Sequence, residues 1–153
     1  MKRATLISAL VLTFAVSNPV FHAFAGDKKG SPAYSDVQKD AKKYLGQKVT
    51  WVGSQATYSS TTDEKGKTIG SYIYLWQDER GKIVADHPFV FSDKNLKRTA
   101  AATKADNTPG DPGIRIVSGT VKGIQEVAFS NGRKVQAPIL EEVTIDGPPS
   151  KNK

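Results

Sequence analysis

Ser92-Asp93-Lys94-Asn95-Leu96-Lys97-Arg98-Thr99-Ala100-Ala101-Ala102-Thr103-Lys104-Ala105-Asp106-Asn107-Thr108-Pro109-Gly110-Asp111-Pro112-Gly113 stands between two blocks of strand-forming sequence. Asp93 to Ala105 has helix-compatible content in Leu96, Ala100, Ala101 and Ala102. Asp106 to Gly113, crowded with proline and glycine, suits neither helix nor strand. Upstream lie three runs of β-branched and aromatic residues, Lys48 to about Tyr58, Thr68 to Gln77 and Lys82 to Phe91. Asp63-Glu64-Lys65-Gly66 and Asp78-Glu79-Arg80-Gly81 turn the chain between them. His87-Pro88 predicts a break in the third run, because proline cannot donate to a ladder. Downstream, Ile114 to Ile124 and Lys134 to Ile145 flank the turn Ser130-Asn131-Gly132.

Three strands, an insert and two strands match a mostly β, five-stranded, partly open Greek-key barrel, the OB-fold, whose insert plugs one barrel end. An immunoglobulin-like sandwich would require about seven strands. Ahead of the strands, Val37, Ala41, Tyr44 and Leu45 recur on one face of a helical period. Ser35 or Asp36 supplies a cap and Gly46 a stop, which predicts a short amphipathic helix over 35–45. Residues 26–34 read as a flexible lead-in, 35–146 as the OB-fold domain and 147–153 as a disordered tail.

Three segments carry a family likeness. Tyr44-Leu45-Gly46-Gln47-Lys48-Val49-Thr50-Trp51-Val52-Gly53, Phe89-Val90-Phe91-Ser92 and Ile116-Val117-Ser118-Gly119-Thr120-Val121-Lys122-Gly123-Ile124 resemble small exported bacterial OB-fold proteins of the tRNA-anticodon-binding-like type. In that family a Leu-Gly-Lys-Lys-Val opening and a Val-x-Gly-x-Val fourth strand recur, followed by a proline-led fifth strand, here Pro138-Ile139-Leu140-Glu141. The likeness covers residues 44–146 and implies the fold, which by itself implies no function. The aromatic second strand and the proline-rich segment before the fourth depart from the family pattern.

The amino terminus predicts export. Lys2 and Arg3 precede an apolar run from Leu6 to Val16, Asn18-Pro19 interrupts it, and Ala23-Phe24-Ala25 offers a small-x-small cleavage site. These are the three parts of a signal peptide over 1–25, and they place the mature chain in the periplasm or outside the cell. A membrane-spanning helix needs about 20 apolar residues, so no stable span is expected in the mature chain. Cleavage after Ala25 removes two basic residues and His22, taking the net charge from +7 to +5 and leaving His87 as the single histidine. There is no cysteine, so disulfides, thiolate metal sites and thiol nucleophiles are excluded.

Catalytic patterns are sparse, and neither an enzyme nor a cofactor is expected. Asp86 beside His87 would orient a base only if both faced the same way, whereas strand neighbours point to opposite faces. Glu141 and Glu142 fail as an acid–base pair for the same reason. Asp106, Asn107 and Asp111 carry oxygen ligands without EF-hand spacing, which favours a solvated loop.

The second strand is the most informative element for function. Tyr72, Tyr74 and Trp76 alternate with Ile73 and Leu75, so one set faces in and the other out. If Ile73 and Leu75 line the interior, the three rings form an outer row about 7 Å apart on the usual ligand face of this fold. Lys67, Arg80, Lys82, Arg133 and Lys134 (with Lys65) would flank it. Such a face suits single-stranded nucleic acid or another anionic ligand. The same rings equally suit cover by the helix or the insert, or contact with an envelope protein partner. A glycan-binding module is the third expectation. The oligomeric state stays open.

Overall fold

The computed structural model describes residues 30–62 and 64–150. The expected signal peptide, the start of the lead-in and the last three residues lie outside this range. After Gly46, whose positive φ of 79° ends the preceding helical turn, the β-branched and aromatic runs form long strands. These are β1 (Lys48–Thr62), β2 (Thr68–Gln77), β3 (Ile83–Ser92), the two-residue β4 (Lys97–Arg98), β5 (Ile114–Ala128) and β6 (Lys134–Asp146). Helix α1 is Tyr34–Lys39, a 3-10 turn covers Ala41–Tyr44, and α2 is Ala100–Asp106.

One sheet runs β3-β2-β1-β5-β6-β4, and β3 also pairs with β6. The β1–β2, β2–β3, β1–β5 and β5–β6 pairs are antiparallel. The β3–β6 pair is parallel, through Val90↔Ile139 and Phe91↔Leu140, and joins five strands into a ring. β4 extends the far side of β6 through Lys97↔Thr144 and Arg98↔Ile145.

Alternation turns Val49 and Trp51 of β1, Phe89 and Phe91 of β3, Val117 and Val121 of β5, and Leu140, Val143 and Ile145 of β6 into a buried core. Burial of one such side chain contributes about 1.5–3 kcal/mol. At Gly53 β1 closely approaches its neighbours: a Cβ there would stand 2.6 Å from the Leu75 carbonyl oxygen and 3.1 Å from the Phe89 ring.

The two helices close opposite ends of β6. Gln38 of α1 donates from Nε2 to the carbonyls of Asp86 (3.1 Å) and Gln136 (3.0 Å), bridging β3 and β6 where their pairing has stopped. The Tyr34 hydroxyl donates to the Pro88 carbonyl. At the other end Thr99 Oγ1 accepts from Ala102 N to cap α2 and donates to Asp146. Among the described residues no helix is long and apolar enough to cross a membrane.

Several expectations change. The lead-in belongs to the fold from Ser31 onward: Ser31 Oγ accepts from Thr50 N, the Pro32 carbonyl accepts from Trp51 Nε1, and Tyr34 is completely buried. The helix expected over 35–45 breaks at Asp40 (φ −147°, ψ 72°) into α1 and the 3-10 turn. Tightening to the 3-10 turn carries Leu45 off the apolar face, and it is 51% exposed. β3 runs unbroken through Pro88. The Pro88 carbonyl faces α1, and the N and O of one strand residue share a lateral side, so the missing N–H costs no bond to β2. Gly147, expected in the tail, is buried, and its carbonyl accepts from Ile116 N.

Candidate functional site

The three rings of β2 face the interior, which reverses the expected outer row. Tyr74 is 2% exposed and packs against Phe91 at 5.1 Å and Phe89 at 5.8 Å between centroids. Tyr72 stacks on Phe91 at 5.4 Å and touches Tyr58 at 4.7 Å. Trp76 stacks on Tyr34 at 5.4 Å with 19° between planes, and lies 5.3 Å from His87. Ile73 and Leu75 therefore sit on the outer face. Ile73 joins a second apolar cluster with Val90, Val127, Ala137 and Phe129.

Both parities of β2 are apolar, so the strand alone does not choose its face. The choice comes from β3, where Phe91 stands opposite Tyr72 and Phe89 opposite Tyr74, and directly opposed residues share a face. Aromatic side chains bury about 150–250 Å² each, so turning the rings inward hides more apolar surface than turning in Ile73 and Leu75.

The basic residues expected to flank the row are dispersed. Lys67 precedes β2, whereas Arg80 and Lys82 follow it, separated by a ten-residue strand that spans about 30 Å. Asp78 holds the second turn by accepting from the backbone N–H groups of Arg80 and Lys82, each at 2.9 Å. Arg133 pairs with Asp86 and lies over the Phe129 ring at 5.6 Å. Lys134 pairs with Glu126 at 3.2 Å. The fold does not gather Tyr72, Tyr74, Trp76, Lys67, Arg80, Lys82, Arg133 and Lys134 into one surface.

Sequence reading missed Arg115, a buried cation on the inward parity of β5 with Val117, Gly119 and Val121. Its Nη2 meets Asp106 Oδ1 and Asp111 Oδ2, both at 2.6 Å, and its Nη1 donates to the Ile114 carbonyl at 2.8 Å. Arg98 meets the other oxygen of Asp106 at 2.8 Å. Donation from Arg115 holds the Asp111 carboxyl below its ordinary value. The two carboxylates weighed as a cation loop are thus guanidinium partners that fasten the insert to the ring. The visible signal was a lone arginine within the inward alternation of a strand.

His87 lies between Tyr34, at 5.0 Å, and Trp76. Its Nδ1 is buried and has no hydrogen-bond partner among the described residues. Burial lowers its pKa, with Asp86 opposing the shift. The Asp86 carboxylate is paired with Arg133, and no hydrogen bond links it to the imidazole in a base–orienter arrangement.

Clefts open on the surface among the described residues. One, of about 310 Å³, lies between Ala33, Ser35, Trp76, Asp78, Glu79 and Arg80. Another, of about 670 Å³, is lined by Asn95, Leu96, Lys97, Glu142 and Thr144. Asn95 (φ 60°) and Glu142 (φ 52°) are both left-handed, and Glu142 falls at the β6 bulge between the Ser118↔Thr144 and Thr120↔Glu141 pairs.

The sheet also leaves backbone open. β1 pairs with β5 from Lys48 to Ser54, and with β2 from Gly53 to Thr62. From Gln55 to Thr62 only one side of the strand is therefore paired among the described residues. Tyr58, within this stretch, is 46% exposed.

Comparison with known proteins finds no matching family model and no matching curated protein.

Proposed function

We propose that this chain is an exported, non-catalytic OB-fold module whose work is binding another protein chain. The strand order, with its parallel β3–β6 contact and an insert ahead of β5, supports the OB-fold reading. The pattern at residues 1–25 supports export. One observation carries the choice of a protein partner: the Tyr72 and Tyr74 rings pack into the core, while the second half of β1 presents, among the described residues, a long unpaired edge. An edge of this kind binds chains through main-chain hydrogen bonds.

A photo-crosslinking residue placed at Tyr58 tests this in cells, with the same residue at exposed Lys104 as control. Discrete protein adducts are expected from position 58 alone. Equal adducts from both positions would refute the reading. Fluorescence anisotropy on single-stranded DNA separates the anionic-ligand reading, since binding that falls with salt and is lost in Arg80→Ala/Lys82→Ala would favour nucleic acid instead.

The cleft beside Trp76 favours a second, glycan reading, because an aromatic wall next to Asp78, Glu79 and Arg80 matches sugar-binding chemistry. Tryptophan emission that shifts with a sugar, unaffected by salt and abolished in Trp76→Phe, would support it.

A further inference from the structure

We propose that the open edge of β1 pairs with the same edge of a second copy of this chain, forming a two-fold dimer through antiparallel strands. The inference rests on the protein-interaction reading above and names its partner. Gln55-Ala56-Thr57-Tyr58-Ser59-Ser60-Thr61-Thr62 covers eight residues, about 26 Å of strand. β5 begins at Ile114, opposite Ser54, Asp106 and Asp111 of the preceding segment are held by Arg115, and Gln55 to Ser60 are exposed. No described strand therefore continues along that edge.

Natural proteins protect such edges with lysine, proline, short length or a bulge. Here the stretch has no charged residue, no proline and no glycine, and its one irregularity is the register shift between Gln55 and Thr57 at its inner end. The remainder of the edge is regular.

Charge decides what fits there. A two-fold contact sets residues near the axis against their own copies, so a single charge in that region would face itself. Charged residues make up 24% of this chain, yet none falls within these eight positions. A strongly charged foreign strand would find no counter-charge along the edge, whereas a like uncharged strand is fully compatible with it. Ser59, meeting its own copy, forms a favourable cross-strand hydroxyl pair. Pairing centred on Ser59 overlaps residues 57–61 and places Tyr58 of one copy opposite Ser60 of the other. It also sets the two Ser59 side chains directly opposite each other, with Cβ atoms about 4.5–5.5 Å apart.

Two substitutions at Ser59 test the pairing without touching the core. Sedimentation velocity of the wild-type mature protein over a concentration series is expected to show a monomer–dimer equilibrium. Ser59→Lys and Ser59→Glu are each expected to weaken the dimer at least tenfold, with circular dichroism unchanged and the melting midpoint unchanged at concentrations where wild type is monomeric. An equimolar mixture of the two is expected to dimerise at least as well as wild type, because opposite charges then meet near the axis. A wild-type protein that stays monomeric up to its solubility limit overturns the inference, as does a dimer indifferent to both variants or a mixture that fails to restore association. A monomer that still gives Tyr58 crosslinks to a different protein refutes self-pairing and leaves the interaction reading standing. A monomer without such crosslinks overturns both.

Discussion

Replacing Tyr34 tests whether α1 belongs to the core. Its ring meets Trp51 at 5.0 Å, Trp76 at 5.4 Å, His87 at 5.0 Å and Phe89 at 6.5 Å, and its hydroxyl is the donor to the Pro88 carbonyl. Tyr34→Phe keeps the ring and leaves that carbonyl unpaired, at a cost of about 1–2 kcal/mol. Tyr34→Ala also empties the ring's volume, and truncating a buried aromatic costs about 3–5 kcal/mol. A single domain has only about 5–15 kcal/mol in hand. With a urea slope of about 1–3 kcal/mol/M, the Tyr34→Ala midpoint should fall by at least about 1 M.

Urea unfolding followed by tryptophan emission reads this directly, since both tryptophans touch the ring. An alkaline limb adds a second readout. Burial pushes the Tyr34 phenol well above its ordinary value. Above about pH 10 the unfolded chain sheds a proton that the folded chain keeps, so stability falls as pH rises, by up to about 1.4 kcal/mol per pH unit. Buried Tyr74 shifts in the same direction, with Arg98 opposing it. Tyr34→Phe should therefore flatten, and not abolish, the alkaline loss. A Tyr34→Ala midpoint within about 0.3 M of wild type would show that α1 is peripheral to the cooperative unit and would refute the reasoning.

Glu142→Gly should raise stability by about 0.5–1 kcal/mol, because glycine adopts φ near 52° without a Cβ penalty; a lower urea midpoint would show that the glutamate side chain outweighs its backbone strain. His87 predicts an acid effect of opposite sense to Tyr34. Its folded pKa is lowered by burial, so its contribution is present above about pH 6.5 and is lost as pH falls below that value, while ordinary carboxylates titrate near pH 4. Stability measured between pH 7.5 and 5 should decline in wild type and stay flatter in His87→Phe; identical slopes would remove His87 as the cause.

Much of the architecture was legible because hydrophobic period and turn chemistry are local. Three strands, an insert and two strands follow from β-branched runs broken by Asp-Glu-x-Gly-type and Ser-Asn-Gly turns, and they reappear as β1, β2, β3, β5 and β6 with ends extended by a few residues. Tyr34 lies at the same period as Val37, Ala41 and Tyr44, and so was readable as a core residue, although the breakers before it suggested a loose lead-in. The Asp40 break was not readable, because it depends on how α1 and the 3-10 turn fit the space between β3, β6 and β5.

The face of β2 belongs to the assembled sheet. Alternation says that Tyr72, Tyr74 and Trp76 oppose Ile73 and Leu75, and it is symmetric between the two orientations. The symmetry is broken by register: Phe89 and Phe91 stand across from Tyr74 and Tyr72, and burying all the rings together removes the most apolar surface from water. Arg115 is a similar case, since its carboxylate partners become neighbours only when the insert folds back over the ring. Local order along the chain sets which residues form strands and where they turn. Which side of each strand meets solvent is a property of pairs of strands, and no single stretch of sequence contains it.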